Sequence, residues 1–421
     1  MRGLRPRASA WFASTTYVRK WLALGTIVGI VAGLGALAFY EALVGATHLF
    51  LGLLAGYEVP TPVGEGLRGA SARFARPWAI PLVVAGGGLL AALLVNGIAP
   101  DAEGHGTDAA IDAVHNDPRG IRLRTVAVKI VASAVTIGSG GSGGREGPTG
   151  QISAGFGSFL ARLFDLSDSD ARIAVASGIG SGIGAIFGAP LGGSVLATEI
   201  MYRDDFEVEA LVPAFIASIV GYVVFGSVRG FGPLFGYASS FHLAHAPQLL
   251  WFAAIGIAGG LVGLAYAKGF YGIAGVFRRL PVPRVLRPAL GGLLVGCIAL
   301  AVPEVLGTGY GWIQQGLGPG LLHIPLWVVL LLPVARIVAT GLSIGSGGSG
   351  GIFGPGMVIG AFVGAGVWRL AEPVVPSLGA DPSPYVVVGM MACFGSIARA
   401  PLAIMLMVAE MTGSLNLIVP A

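Results

Sequence analysis

Residues 137–152 read IGSGGSGGREGPTGQI, and residues 344–359 read IGSGGSGGIFGPGMVI. The first eight letters are identical and the two runs lie 207 positions apart. Other markers follow in the same order. Ala189-Pro190-Leu191 and Ala400-Pro401-Leu402 lie 211 positions apart, a register that sets Glu199 over Glu410 and Ile200 over Met411. Val212-Pro213-Ala214 and Val419-Pro420-Ala421 return to a spacing of 207. Such agreement means that one design is built twice. It divides the chain into a basic N-terminal segment (1–20), a first repeat (21–222), an inter-repeat segment (223–250) and a second repeat (251–421).

The chain has 421 residues, is 54% hydrophobic and only 11% charged, and has a mean hydropathy of +0.81. Soluble domains carry roughly 25% charged residues, so this is an all-α, multi-pass integral membrane protein. Apolar blocks at 21–56, 78–99, 173–201, 209–226, 249–276, 321–341 and 385–411 include many of the length that spans a bilayer. Those at 125–137 and 152–163 are too short to cross alone and suit broken or re-entrant helices buried among neighbours. Glycine, at 70 of 421, permits close helix contact and unwound backbone where that backbone lines a cavity.

Arg2, Arg5, Arg7, Arg19 and Lys20 place the N-terminus on the cytoplasmic side by the positive-inside rule, and the basic loop at 278–287 reads the same way. The apolar block that follows the N-terminus is too long for a signal peptide. No basic patch with interleaved aromatics suggests nucleic-acid binding. Cys297 and Cys393 lie in apolar stretches and read as inert core thiols.

Glycine-rich runs that lead into helices expose backbone N–H groups. The first turn of a helix leaves such donors unpaired, and the dipole there is positive. Together these make an anion site without a cationic side chain. Two repeats aiming helix N-termini at one point double the effect. Pro148 and Pro355 mark the helix starts, where a missing N–H costs nothing. Internal repeats with broken helices are a common way to build a midplane site between halves.

GREGP at 144–148 followed by TGQI, GIFGP at 351–355, and PEVLGTGYGWIQ at 303–314 resemble the chloride channel and transporter (CLC) family, in its prokaryotic form without cytoplasmic regulatory domains. The resemblance runs from about residue 21 to residue 421. It implies an inverted two-repeat helical fold with many tilted and broken helices, a homodimer in the cell membrane with one pore per subunit, chloride as cargo and no cofactor. It implies that Glu146 is a gate: ionised, its carboxylate occupies an anion position; protonated or displaced, it swings away. It also implies an anion site formed around Gly104, His105, Gly106, Gly144, Arg145, Glu146, Gly147, Gly351, Ile352 and Phe353. The bland alternative makes Glu146 a surface carboxylate paired with Arg145.

Departures from the family pattern matter. The third anion segment, usually GSGIP, is here Gly104-His105-Gly106-Thr107-Asp108. His105 either contacts the anion or turns away and leaves only backbone donors, and Asp108 reads as a cap for the following helix. The family's inward proton-transfer glutamate is replaced by Ile200, while the adjacent Glu199 reads as a structural or interfacial acid. This favours a passive channel over a chloride/proton antiporter, although Glu199, Asp204 or Asp205 could substitute. The chain stops at Ala421, just after the segment resembling the family's penultimate helix, so the tyrosine of the last helix is absent from this sequence. Without that hydroxyl or the usual serine, weak central anion binding is expected. The altered segment leaves fluoride transport open. A cation- or substrate-coupled transporter would instead set acids against one another at midplane, and Glu41, Glu146, Glu199 and Glu410 are the intramembrane acids available. An intramembrane enzyme needs metal-ligand or nucleophile spacing that the six histidines do not supply, apart from His242 and His245 in a loop. No metal site is expected.

Overall fold

The computed structural model describes residue 12 and residues 15–69, 74–202, 205–236, 248–375 and 378–414. Arg2, Arg5, Arg7, Asp204, His242, His245 and the marker at 419–421 lie outside them.

The described residues are helical, with only isolated backbone bridges in place of strands. The first series is α1 (Tyr17–Thr47), α2 (Ala79–Ile98), α3 (Thr107–His115), α4 (Leu123–Gly138), α5 (Glu146–Leu163), α6 (Asp168–Phe187) and α7 (Pro190–Glu199), followed by α8 (Leu211–Arg229). The second is α9 (Gln248–Arg279), α10 (Arg287–Ala299), α11 (Tyr310–Gly316), α12 (Leu326–Ser343), α13 (Phe353–Ala371), α14 (Ser383–Ala398) and α15 (Pro401–Thr412). Each series opens on its longest helix, and its third and seventh helices are the two shortest. Even the 3-10 turns before α3 and α11 match, at Pro100–Ala102 and Pro303–Val305. Residues 222 and 250 fall inside α8 and α9.

Six helices or helix pairs among the described residues are long and apolar enough to cross a membrane. One of them, Phe353–Ala371, was not among the apolar blocks read from the sequence. Its glycines and first-turn proline interrupt the apolar run while permitting close packing. Conversely, the blocks at 173–201 and 385–411 are each two helices. The breaks fall at the repeated Ala-Pro-Leu markers. Gly188 and Arg399 adopt the left-handed region (φ +66° and +53°), and Pro190 and Pro401 then open α7 and α15. Proline cannot continue a helix but suits its first position.

The repeats interlock through related helices, α2 against α10 and α7 against α15. Contact is tight enough that a methyl on Gly192 would stand 2.5 Å from the Met407 Cα, and one on Gly292 would stand 2.5 Å from the Val84 carbonyl oxygen. One apolar core runs through both repeats, from Trp21 and Phe39 to Phe362 and Met407. Leu22, Leu34, Val223, Leu261 and Val334 are exposed on the outer helices, as a lipid-facing belt requires. Cys393 is buried, but Cys297 is exposed on α10, so the core reading fails for that thiol. An apolar neighbourhood in sequence does not separate core from lipid-facing surface.

Candidate anion site

The two glycine runs meet. Gly144 N–H donates to the Gly351 carbonyl and Gly351 N–H to the Gly144 carbonyl, each at 2.7 Å. This antiparallel bridge lies just before α5 and α13, so the two N-termini abut head to head. Pro148 and Pro355 are the third residues of these helices, still within the turn whose N–H groups have no intrahelical partner.

Glu146 opens α5 and is wholly buried. Its carboxylate lies in a cradle formed by glycines of both repeats. A methyl on Gly351 would stand 2.8 Å from Glu146 Oε2, and one on Gly354 would stand 2.6 Å from Oε1. Tyr310 Oη donates to Oε1, and among the described residues Oε2 has no hydrogen-bond partner. A buried carboxylate is costly without compensation. Here two helix N-termini and a phenol provide it, each helix end contributing up to about 2 kcal/mol in buried geometry.

Arg145, 1% exposed, does not pair with Glu146. It forms an ion pair with Glu65 and lies over the rings of Tyr40, Phe187 and Tyr310 at 5.6, 5.2 and 4.9 Å. The reading of Glu146 as a surface acid held by Arg145 is therefore excluded. Arg145, Glu65 and Thr308 also line a surface cavity of about 470 Å³.

The Gly-His-Gly segment at 104–106 has an unforeseen counterpart at Gly307-Thr308-Gly309, 203 positions on. Both loops use left-handed glycines, with φ +73° and +88° in the first and +60° and +81° in the second. Each braces the glycine run of the other repeat. Gly104 N–H donates to Gly348 O at 3.0 Å and Gly350 N–H to Gly104 O at 3.2 Å; Gly307 N–H donates to Gly140 O at 3.3 Å and Gly143 N–H to Gly307 O at 3.5 Å. Each loop is clamped by a fully buried cation. Lys129 donates to the Ala102 and Gly104 carbonyls at 3.1 and 2.7 Å. Arg336, 207 positions later, donates to those of Val305 and Gly307 at 2.5 and 2.9 Å.

Side chains repeat the exchange. Ser142 N–H donates to Ser343 Oγ at 2.9 Å, and Ser349 N–H to Thr136 Oγ1 at 3.4 Å. Glu199 accepts from Leu402 and Ala403 N–H at 3.2 and 2.7 Å, while Glu410 accepts from Leu191 and Gly192 N–H at 3.1 and 2.7 Å. Each glutamate thus caps the short helix of the other repeat. Glu199 is committed to α15 and Ile200 is buried at the end of α7. Asp205 accepts from the neighbouring Phe206 N–H at 2.8 Å. Glu41, the remaining acid, pairs with Arg229 at 2.5 Å, so these intramembrane acids do not face one another.

His105 turns its imidazole towards Asp108, with Nε2 3.0 Å from Oδ2, and its ring lies T-shaped to Phe270 with centroids 6.3 Å apart. That hydrogen bond holds the exposed Asp108 carboxyl below the usual carboxylate range. Asp108 therefore does not cap α3. The N-cap is Gly106, without a side-chain bond. The His105 Nδ1 is buried and has no hydrogen-bond partner among the described residues, and the His105 backbone crowds Gly147. Ile352 and Phe353 begin α13, with Phe353 tilted against Phe394 and the Ile352 carbonyl accepting from Tyr266 Oη at 2.9 Å. Among the described residues no group of His, Cys, Asp and Glu could hold a metal ion.

Sequence reading missed Lys129, Arg336, Glu65 and the role of Tyr310. The spacing of 207 that relates the glycine runs also relates Lys129 to Arg336, a usable signal.

Paired helix N-termini around a buried carboxylate, inside a twofold-repeated helical membrane fold, define an anion-transport membrane protein. The family model described as voltage gated chloride channel matches residues 87–421, and the chain belongs to that family, the CLC chloride channels and transporters. Its relatives include a protein named ClcB-like from Ralstonia nicotianae, 32% identical over 95% of this chain and 90% of its own. The H(+)/Cl(-) exchange transporter ClcA of Vibrio cholerae is 30% identical over 95% of this chain and 83% of its own. Two solved structures establish the fold. A slow cyanobacterial Cl⁻/H⁺ antiporter superposes with TM-score 0.78 at 24% identity, covering 95% of this chain and 91% of its own. A CLC-type fluoride/proton antiporter superposes with TM-score 0.77 at 22% identity, covering 96% and 93%.

Proposed function

We propose that this protein moves chloride passively across the cell membrane through a pore in each subunit of a homodimer, with Glu146 as the gate. The observation that carries the reading is the Glu146 carboxylate lying in the glycine cradle where two helix N-termini meet. A carboxylate in that seat carries the same charge as the cargo. Protonation or competition by chloride frees the side chain and opens the seat. The membrane potential then drives flux, worth about 2.3 kcal/mol per charge per 100 mV. Anion flux from liposomes tests the gate: Glu146→Ala releases chloride from pH control, and unchanged flux would remove the assignment.

Passive conduction is favoured because Ile200 cannot carry a proton and Glu199 is occupied as a cap. Chloride/proton exchange is the second reading, favoured by the exchangers among the relatives at 30% identity. The reversal potential under a proton gradient separates them. Independence of pH supports the channel, and a shift supports exchange. Running the same assay with fluoride tests the other anion that the His105 segment leaves open.

A further inference from the structure

Tyr310 is 1% exposed, and its hydroxyl donates to Glu146 Oε1. The ring is caged. Phe187 and Phe235 meet it edge-on with centroids 6.0 and 6.2 Å away, and the Arg145 guanidinium lies 4.9 Å above it. Gly309, left-handed at φ +81°, starts α11 and fixes the backbone beneath it. A methyl on Gly354 would stand 2.5 Å from the hydroxyl, so this oxygen lies beside the α13 N-terminus as well as the carboxylate. The equivalent residue in the first repeat, Thr107, is too short to supply a phenol, so this donor comes from one repeat only.

A carboxylate that swings out leaves this caged hydroxyl behind without an acceptor. A buried donor without a partner is unfavourable. The species that takes the vacated seat is an anion, which accepts a hydrogen bond. We propose that Tyr310 is the side-chain donor of the anion seat: it latches Glu146 while the gate is in place, then donates to the halide that replaces it. This rests on the reading of Glu146 as the gate. The hydroxyl comes from α11, in the second repeat. The charged and titratable groups around the carboxylate are Arg145 with its partner Glu65, Arg336 behind the Tyr310 loop, and Tyr266 of α9, whose hydroxyl is committed to Ile352.

Isothermal titration of chloride into the full-length detergent-solubilised protein tests the hand-over in a Glu146→Gln background, where no carboxylate competes. Adding Tyr310→Phe, which keeps the ring and its cage, is expected to weaken chloride about tenfold or more, as loss of a hydrogen bond to a charged group does. Replacing Tyr310 by 3-fluorotyrosine, a stronger donor of nearly the same shape, is expected to tighten it. With Glu146 intact, Tyr310→Phe removes a donor to the ionised form, so the flux–pH curve should move to higher pH by about one unit. Unchanged chloride affinity for both Tyr310 variants in the Glu146→Gln background would overturn the proposal while leaving the gate intact. If Glu146→Gln itself neither tightens chloride nor flattens the pH curve, the gate reading has failed instead.

Discussion

At the scale of single residues, one carboxylate sets the chemistry and two buried basic side chains hold the loops around it. Glu146→Gln removes the charge while keeping the shape, so liposome chloride flux should lose most of its dependence on pH between about 5 and 8. A profile as steep as that of the parent would contradict the gate. Lys129 and Arg336 serve differently. Each donates hydrogen bonds to carbonyls of the loop that holds the opposite glycine run. Lys129→Met removes a charge-assisted donor from the Ala102 and Gly104 carbonyls, which keep Ser349 Oγ and Gly350 N–H as donors, and should cost about 1–3 kcal/mol in total. The expected result is a lower melting temperature in detergent with the pH profile of flux retained, and an unchanged melting temperature would show the clamp to be dispensable. Glu146 was legible because its neighbours form a motif. Lys129 was not, because a lone cation in an apolar run has no local mark of its function. Its meaning comes from carbonyls 25 and 27 residues away.

At the scale of elements, the short helices α7 and α15 are held at their N-termini by carboxylates from each other's repeat. Glu199→Ala and Glu410→Ala each expose two amides, so each should destabilise the fold by about 1–2 kcal/mol, with Gln recovering part. Equal melting of Ala, Gln and parent forms would show that these caps carry nothing. The breaks preceding both helices were written in the repeated Ala-Pro-Leu, yet each pair reads as one long apolar block because hydropathy ignores φ. The second break carries a residue ill suited to it. Gly188 takes the left-handed conformation freely, whereas Arg399 takes it at φ +53° with a Cβ. Arg399→Gly should raise stability by about 1 kcal/mol, and a lower melting temperature would mean that the arginine side chain makes an interaction outweighing its backbone cost.

At the scale of the whole molecule, the sequence repeat is realised as exchange between halves. The glycine runs, the Gly-x-Gly loops, the serine–threonine pairs and the glutamate caps of one repeat each find their partner in the other. The repeated markers carried the duplication, but which atoms cross over depends on inverted packing that a spacing alone does not encode. One consequence concerns cooperativity. A repeat that opened alone would leave its partner's buried N–H and C=O groups unsatisfied inside a low-dielectric interior, where each costs about 1–3 kcal/mol. The repeats should therefore unfold together. Thr136→Val and Ser343→Ala deprive symmetry-related amides, Ser349 N–H and Ser142 N–H, of their acceptors. Both variants should lower one shared thermal transition, the Ser343 variant somewhat more because its bond is 2.9 Å against 3.4 Å. Differential scanning calorimetry that resolved two transitions, each moved by only one of the substitutions, would show that the halves are separate folding units that merely touch.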